Sequence, residues 1–353
     1  MTLHVFNPEH DIALASGLSN FTAPHAGRQL RGDLGFLPAL WAAEGDCVLV
    51  DHVASAQRTF ARLRNRVGAK EVRFVSADEL LHLAIDYVEP WGWDNALVAA
   101  LRRKRVRDDV LPLKKELELV RQLSHRRTAA RLLPLLQMEG TVGEVTECYS
   151  VDAVEEALGR EGRVVVKAPW SSSGRGVRFV TERAHLAHLH NWLCNVIRRQ
   201  GSVMVEPYYD KVKDFGMEFT ATPEGIRYEG LSLFHTQNGA YTGNVLATEQ
   251  AKRDTLSRYL PLQLLDAVRE KIVATCELGP YCGPFGVDMM LVRPVGAVAA
   301  ETGGTCLLHP CVEINLRRTM GHVALAVSPT DDDVRRVMRI TYTTHYKLSI
   351  NKL

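Results

Sequence analysis

The sequence predicts an α/β protein: a small N-terminal unit on a parallel sheet, followed by a larger α+β portion. Three observations carry that prediction. Over residues 1–88, short β-branched runs alternate with helical stretches, which implies a parallel sheet with helices on its faces. From Val164 to Val180, two apolar runs flank a polar loop of small residues, the pattern of a hairpin with a flexible tip. Beyond Glu206 the chain alternates as an antiparallel sheet.

Taken in order, Leu3 to Phe6 is a short strand, Leu34 to Glu44 has helical spacing, and Cys47 to Val50 is a second strand. Glu71 to Val75 is a third, and Ser76 with Glu79 forms a capping box for the helix that follows. Two polar loops stand out. Asn7-Pro8-Glu9-His10-Asp11 follows the first strand, where α/β folds tend to place ligand contacts. Asn20 to His25, with Arg28 and Arg31, is the second; both read either as loop caps or as a lip over an acceptor pocket. Trp91-Gly92-Trp93-Asp94 breaks the chain, and residues 95–137 are helical and basic. Arg102 to Arg105 reads as a solvated helix end rather than a nucleic-acid patch.

From Glu144 to Phe179 the expected order is strand, helix, strand, glycine loop, strand. His185 to Gln200 is a helix, and the stretch Val203 to Tyr208 is a strand that ends at Glu206. Asp214 to Thr222 and Ile226 to Phe234 are strands, with a long polar loop from His235 to Thr248. Leu260 to Cys276 is an amphipathic helix; Phe285 to Val292 and Cys311 to Asn315 are the last core strands; Arg335 to His345 is expected to close the chain as a helix.

Composition narrows the functional classes. The chain has 353 residues, room for two or three domains. Its 46% hydrophobic and 24% charged residues are those of an ordinary soluble protein. A formal net charge of +2 gives no reason to expect a nucleic-acid partner. Seven cysteines without a Cys-x-x-Cys pair argue for reduced thiols rather than zinc or a disulfide framework. With no signal-like start and no long apolar run, the expectation is a cytoplasmic protein without a membrane span.

The hairpin carries the first chemical signal. Gly174 and Gly176 let backbone N–H groups turn inward around an anion such as a phosphate. Lys167 leaves the first strand just before the loop, placed to set an ammonium over the same anion and, facing a cleft, to carry little stability. No Gly-Lys-Ser/Thr opens a helix here, so this is not a Walker loop. The second signal is Asp288 with Glu313 and Asn315. Adjacent strands ending in Asp and in Glu-x-Asn set three oxygen ligands on one face, because strand residues two apart share a side. Such a set suits Mg²⁺, which takes few carboxylates together with substrate phosphates.

The series Val164 to Val180, Val203 to Tyr208, Asp214 to Phe219, Gly283 to Leu291 and Val312 to Arg317 resembles the ATP-grasp superfamily over roughly residues 125–330. The resemblance implies a pre-ATP-grasp domain (1–90), a helical linker region (91–140), a small subdomain with the glycine-rich loop (141–205) and a large subdomain with hinge and metal site (206–353), the two α+β subdomains clamping ATP. It implies that Lys167 contacts the α-phosphate and adenine edge, and that Ser172, Ser173, Gly174, Arg175 and Gly176 cover the β- and γ-phosphates. Glu206 to Tyr208 would be the adenine hinge, and Asp214, or less favourably Asp210, would meet the ribose. Asp288, Glu313 and Asn315 would hold magnesium, and Arg317 would neutralise the transferring phosphoryl group, with Arg318 turned away.

The family usually has a phosphate-binding lysine in the helix near residue 126, where this chain has Arg126 and Arg127. An arginine fork also suits phosphate oxygens. Arg227, His235 and His322 are further basic groups that would orient an acceptor carboxylate. The implied activity is an ATP- and Mg²⁺-dependent carboxylate–amine ligase acting on small molecules, often a homodimer in this class. A small-molecule kinase and a non-catalytic nucleotide-binding module are the alternatives.

Overall fold

The computed structural model describes residues 1–171, 174–237, 240–294 and 306–353. The N-terminal unit runs β1 (Thr2–Val5), α1 (His10–Ser16), α2 (His25–Leu34), β2 (Cys47–Leu49), α3 (Val53–Val67), β3 (Arg73–Val75), α4 (Ala77–Leu80) and β4 (Tyr87–Pro90). Its four strands are parallel, in the order β3-β2-β1-β4. The chain winds outward from β1 to β3 and returns to add β4 on the other side of β1. The gap between the ends of β1 and β4 is therefore the point where α/β sheets open a crevice.

The expected capping box at Ser76 and Glu79 is present. The expected helix over 34–44 is instead the end of α2 followed by a single 3-10 turn at Leu37–Leu40, because Pro38 suits a helix start and not its interior. α1 and most of α2, which fall in or after the two stretches read as polar loops, had no expectation as helices, nor had α3, whose Phe60 and Leu63 are buried, or β4.

Asp94 caps α5 (Asn95–Arg103) through its side chain, and α6 (Lys114–Leu123) and α7 (Arg127–Leu132) follow. Next come β5 (Thr146–Cys148), α8 (Val151–Glu161), β6 (Val164–Lys167), β7 (Val177–Val180), α9 (Arg183–Gln200) and β8 (Val203–Pro207). Their strands form an antiparallel sheet, β5-β8-β6-β7. Val154, Leu158, Leu186 and Leu193 of the two helices share a core with Val164, Val166, Val203 and Val205 of the sheet.

The largest layer has seven antiparallel strands, β13-β12-β9-β10-β11-β14-β15. They are β9 (Lys211–Thr222), β10 (Gly225–Gln237), β11 (Ala240–Leu246), β12 (Gly283–Val292), β13 (Leu307–Asn315), β14 (Arg336–Tyr342) and β15 (Tyr346–Lys352), with α10 (Glu249–Leu256), α11 (Leu262–Thr275) and α12 (Met320–Ala326) between them. Phe215, Met217 and Phe219 of β9 and Phe285, Val287 and Met289 of β12 are all buried in one core with Leu265, Val268 and Ile272 of α11. Period two then turns Asp214, Glu218 and Asp288 to the opposite face.

Two expectations fail in this sheet. Residues 240–246, read as polar loop, form β11, and residues 335–345, read as helix, form β14 and the turn into β15. Val337, Ile340, Thr341 and Tyr342 are strand formers, and their ladder with β11 joins residues some 90 positions apart, which no local period reveals. The hairpin also docks on the N-terminal unit: Gln29 donates to the Thr344 carbonyl, and Asp33 accepts from His345 and from the Tyr346 amide. Met338 and Ile350 accordingly share a core with Phe6, Leu34, Phe36 and Trp91.

Candidate active site

A cleft of about 570 Å³ opens where the three sheets meet. One end is built by the small sheet. Antiparallel pairing of β6 with β8 brings Lys167 beside Glu206, and the Lys167 ammonium lies 2.6 Å from both carboxylate oxygens. Both side chains are buried. The expectation that Lys167 carries little stability is therefore corrected. Lys167→Ala strands a buried carboxylate and should lower unfolding free energy by about 3 kcal/mol or more, read as a shift of the denaturation midpoint at constant slope.

Next to this pair, Tyr208 and Tyr209 line the cleft, with Phe179 edge-on to Tyr208 at 5.9 Å and the Arg163 guanidinium over the Tyr208 ring. Gly174 lines the cleft with a left-handed φ of 71°. A Cβ on Gly176 would meet Ser171 at 2.3 Å, so the tight return of the loop needs glycine there. Ser172 and Ser173 lie outside the described residues. Arg175 is exposed and does not line the cleft. Asp214 does line it, held by Lys211 at 2.6 Å and the Thr236 hydroxyl at 2.8 Å. Asp210 pairs with Arg293 away from it.

The other end is built on the large sheet. Asp288 on β12 stands directly opposite Glu313 on β13. Asn315 is two residues beyond Glu313, and its amide donates to Asp288 at 3.0 Å. Burial pushes the Asp288 carboxyl up to about 8, and the neighbouring Glu313 and Glu218 carboxylates add to that shift. Two arginines balance this crowding. Arg126 ties Glu313, at 2.8 Å, to the carbonyl of Ala168 at the base of the loop. Arg317 forks onto Asp11 at 2.8 and 3.1 Å and donates to Asn315 at 2.8 Å. Burial opposes ionisation of Asp11, but the Arg317 charge outweighs it and keeps the carboxyl below its ordinary range.

Of the two candidate arginines, Arg126 faces the cleft, while Arg127 is forked onto Glu147. Arg318 is turned away as expected, near Glu89 and over the Trp41 ring. After β1, Pro8 of the loop and Asp11 in the first turn of α1 reach the cleft. Asn7 and His10 bond to Asp94, and Glu9 pairs with Arg31, so these brace the loop. Arg28 donates to the Ala23 carbonyl. The acceptor role expected of Arg227, His235 and His322 has no geometric support, since none of the three lines the cleft. Arg227 is exposed beside Glu229, and His322 is buried against Glu218.

Glu218 is the cleft carboxylate that had no expected role. The only sequence signal for it is its even position on β9, shared with Asp214. Among the described residues, no three His, Cys, Asp or Glu side chains converge to hold a metal ion unaided. No helix among them is long and apolar enough to cross a membrane, and all seven cysteines are free.

No protein-family model matches the chain, and no curated protein matches it. Solved structures do. N5-carboxyaminoimidazole synthetase of Staphylococcus aureus, complexed with ADP, aligns over 96% of this chain and 82% of its own, at 14% identity and a TM-score of 0.50. The biotin carboxylase domain dimer of Hydrogenobacter thermophilus 2-oxoglutarate carboxylase, in complex with MgADP, ADP and bicarbonate, aligns over 96% and 74%, at 13% identity and a TM-score of 0.50. A protein of Archaeoglobus fulgidus described as a candidate ATP-grasp superfamily member aligns over 100% and 99%, at 14% identity and a TM-score of 0.47. The chain has the ATP-grasp fold: an N-terminal parallel sheet followed by two α+β layers that face each other across the cleft.

Proposed function

We propose that the protein is an ATP- and Mg²⁺-dependent ligase that joins a carboxylate to an amine through an acyl phosphate, releasing ADP and phosphate. The observation that carries this reading is the division of one cleft. A Lys167–Glu206 pair with flanking Tyr208 and Phe179 occupies one end. Asp288, Glu313 and Asn315, gathered with Arg126 and Arg317, occupy the other. The first suits an adenine nucleotide and the second its terminal phosphates. Two structural neighbours were solved with ADP and with MgADP, which supports an adenine nucleotide as the ligand.

The donor set fits magnesium. Two carboxylates and an amide oxygen, too few to make a cage alone, match an ion that completes its shell with phosphate oxygens and water. The Asp288 carboxyl, raised first by burial and then by the Glu313 and Glu218 carboxylates, is one that a bound cation would favour in its charged form. Asp288, Glu313 and Asn315 would hold the ion, which when bound supplies positive charge to the phosphates. Arg317 neutralises charge on the γ-phosphoryl group as it passes from ATP, which leaves as ADP, to a carboxylate oxygen. Arg126 spans the loop base and Glu313, coupling the loop to the phosphate end. The amine then attacks the acyl carbon, and phosphate leaves with one of the former carboxylate oxygens. Catalysis is positioning and charge neutralisation.

The metal site has a pH signature. A proton competes with the ion at Asp288, so apparent Mg²⁺ affinity in the presence of ADP should rise with pH and level off above about 8. Below that value the slope is about tenfold per pH unit for one displaced proton. Asp288→Asn should bind weakly and with a flat profile; calorimetry at several pH values checks this.

The experiment that tests the reading is a screen of amino acids and small acids, singly and in pairs, for ATP-dependent phosphate release. One pair should stimulate release well above either member alone. Release that never depends on a carboxylate would reject the ligase.

A further inference from the structure

We propose that the acceptor subsite takes an amine carrying an apolar group, its nitrogen held by Glu218 and its body by the apolar wall between Trp91 and Ile340. The inference rests on the assignment of the Lys167 end of the cleft to the nucleotide.

Glu218 is 3% exposed and positioned on one side only. Its Oε2 accepts from the Thr319 hydroxyl at 2.8 Å and lies 3.0 Å from His322 Nδ1. His322 Nε2 is 3.2 Å from the Phe219 carbonyl, which fixes the ring. Oε1 has no hydrogen-bond donor among the described residues. Room for it exists because residue 321 is glycine: a Cβ there would stand 1.8 Å from Glu218 Oε1 and 2.6 Å from Ser232 Oγ.

Around that oxygen the cleft floor is polar. Asn244, fully buried, donates to Ser232 and accepts from Tyr241. A carboxylate oxygen without a donor, beside the neutral Ser232 and with the buried Lys252 ammonium held on the Leu231 carbonyl instead, attracts an ammonium or amine and repels a carboxylate. Anionic parts of the substrates fall instead to Arg317. In register Glu218 is opposite Gly286, two residues before Asp288, so a nitrogen held there lies beside the phosphate end.

The opposite wall has different chemistry. Phe6 and Trp91 project from the ends of β1 and β4, the crevice point of the N-terminal sheet. Leu30, Met320 and Ile340 close around them from α2, α12 and β14. These side chains offer no charge and almost no hydrogen bonding, so they suit an apolar body and reject a polar one by leaving its groups unpaired. Ile340 is supplied by the C-terminal hairpin that docks on α2.

The test is calorimetry on the full chain saturated with MgADP, using phenethylamine, isopentylamine, ethanolamine and 3-phenylpropionate as probes. Phenethylamine and isopentylamine should bind at least tenfold tighter than ethanolamine, and phenethylamine tighter than 3-phenylpropionate. Glu218→Gln should weaken phenethylamine at least tenfold, while Leu30→Asn and Ile340→Thr should narrow its lead over ethanolamine. MgADP affinity should stay unchanged in Leu30→Asn and Ile340→Thr, and Glu218→Gln should still bind MgADP. Equal binding of phenethylamine and ethanolamine by the unaltered protein, or an unaffected Glu218→Gln variant, would overturn the proposal while leaving the nucleotide assignment intact. Failure of MgADP to bind would remove the nucleotide assignment, and this subsite with it.

Discussion

Glu313→Gln and Asp288→Asn should each lower ATP-dependent phosphate release on the order of a thousandfold, about 4 kcal/mol of transition-state stabilisation, while leaving folded protein. The two variants are distinguishable by stability. Asp288 is driven up to about 8 by burial and by Glu313 and Glu218. A carboxyl whose folded-state value lies above its unfolded value costs stability as pH rises from about 4 through 8. Asp288→Asn removes that cost, so the metal-free variant should be more stable than the unaltered protein at pH 8. Glu313→Gln relieves only part of that cost, by removing the charge beside Asp288, and weakens the Arg126 contact, so its gain should be smaller. Thermal melts with and without Mg²⁺ and ADP check both. Full turnover of either variant at limiting Mg²⁺ would remove the metal assignment.

Arg317→Ala should cost about a thousandfold or more in turnover, the scale seen when an arginine that meets a transferring phosphoryl group is lost. The structure adds a second consequence, because Arg317 is also the partner of Asp11 and of Asn315. Without it the N-terminal unit loses a charged link to the phosphate end, and the Asp11 carboxyl should move up from its depressed value. Arg317→Lys keeps one charge but not the fork, so it should recover only a small part of the loss. Equal Michaelis constants with a reduced turnover number would place the effect in the transition state. A loss confined to substrate affinity would make Arg317 a binding residue only.

The fold was legible wherever local pattern and burial agree. β9, β12 and β13 alternate core and cleft residues with period two, which is why Asp214, Asp288, Glu313 and Asn315 turn to the cleft together. The Ser76–Glu79 cap is legible because its whole mechanism lies within four residues. β11 and β14 were not, since the ladder between them joins residues some 90 positions apart, and β15, which pairs only with the adjacent β14, was missed along with it. The same limit hid much of the acceptor end. Arg126, already a candidate, owes its place to contacts with Ala168 and Glu313. Glu218 depends on a glycine 103 positions later for its space. The three bases proposed for the acceptor failed for a related reason: sequence gives a residue's charge but not the partner that consumes it. His322, for one, spends itself on Glu218 and the Phe219 carbonyl.

The most direct measurement follows one oxygen atom. With the carboxylate found by the screen labelled with oxygen-18, and with the amine, ATP and Mg²⁺ supplied, the nucleotide product should be ADP. The released phosphate should carry one labelled oxygen, because an acyl phosphate passes that atom from carbon to phosphorus. Hydroxylamine in place of the amine should trap the same activated acid as a hydroxamate. AMP with pyrophosphate, unlabelled phosphate, or a stable phosphorylated product without free phosphate would contradict the ligase, and the last of these would identify a kinase.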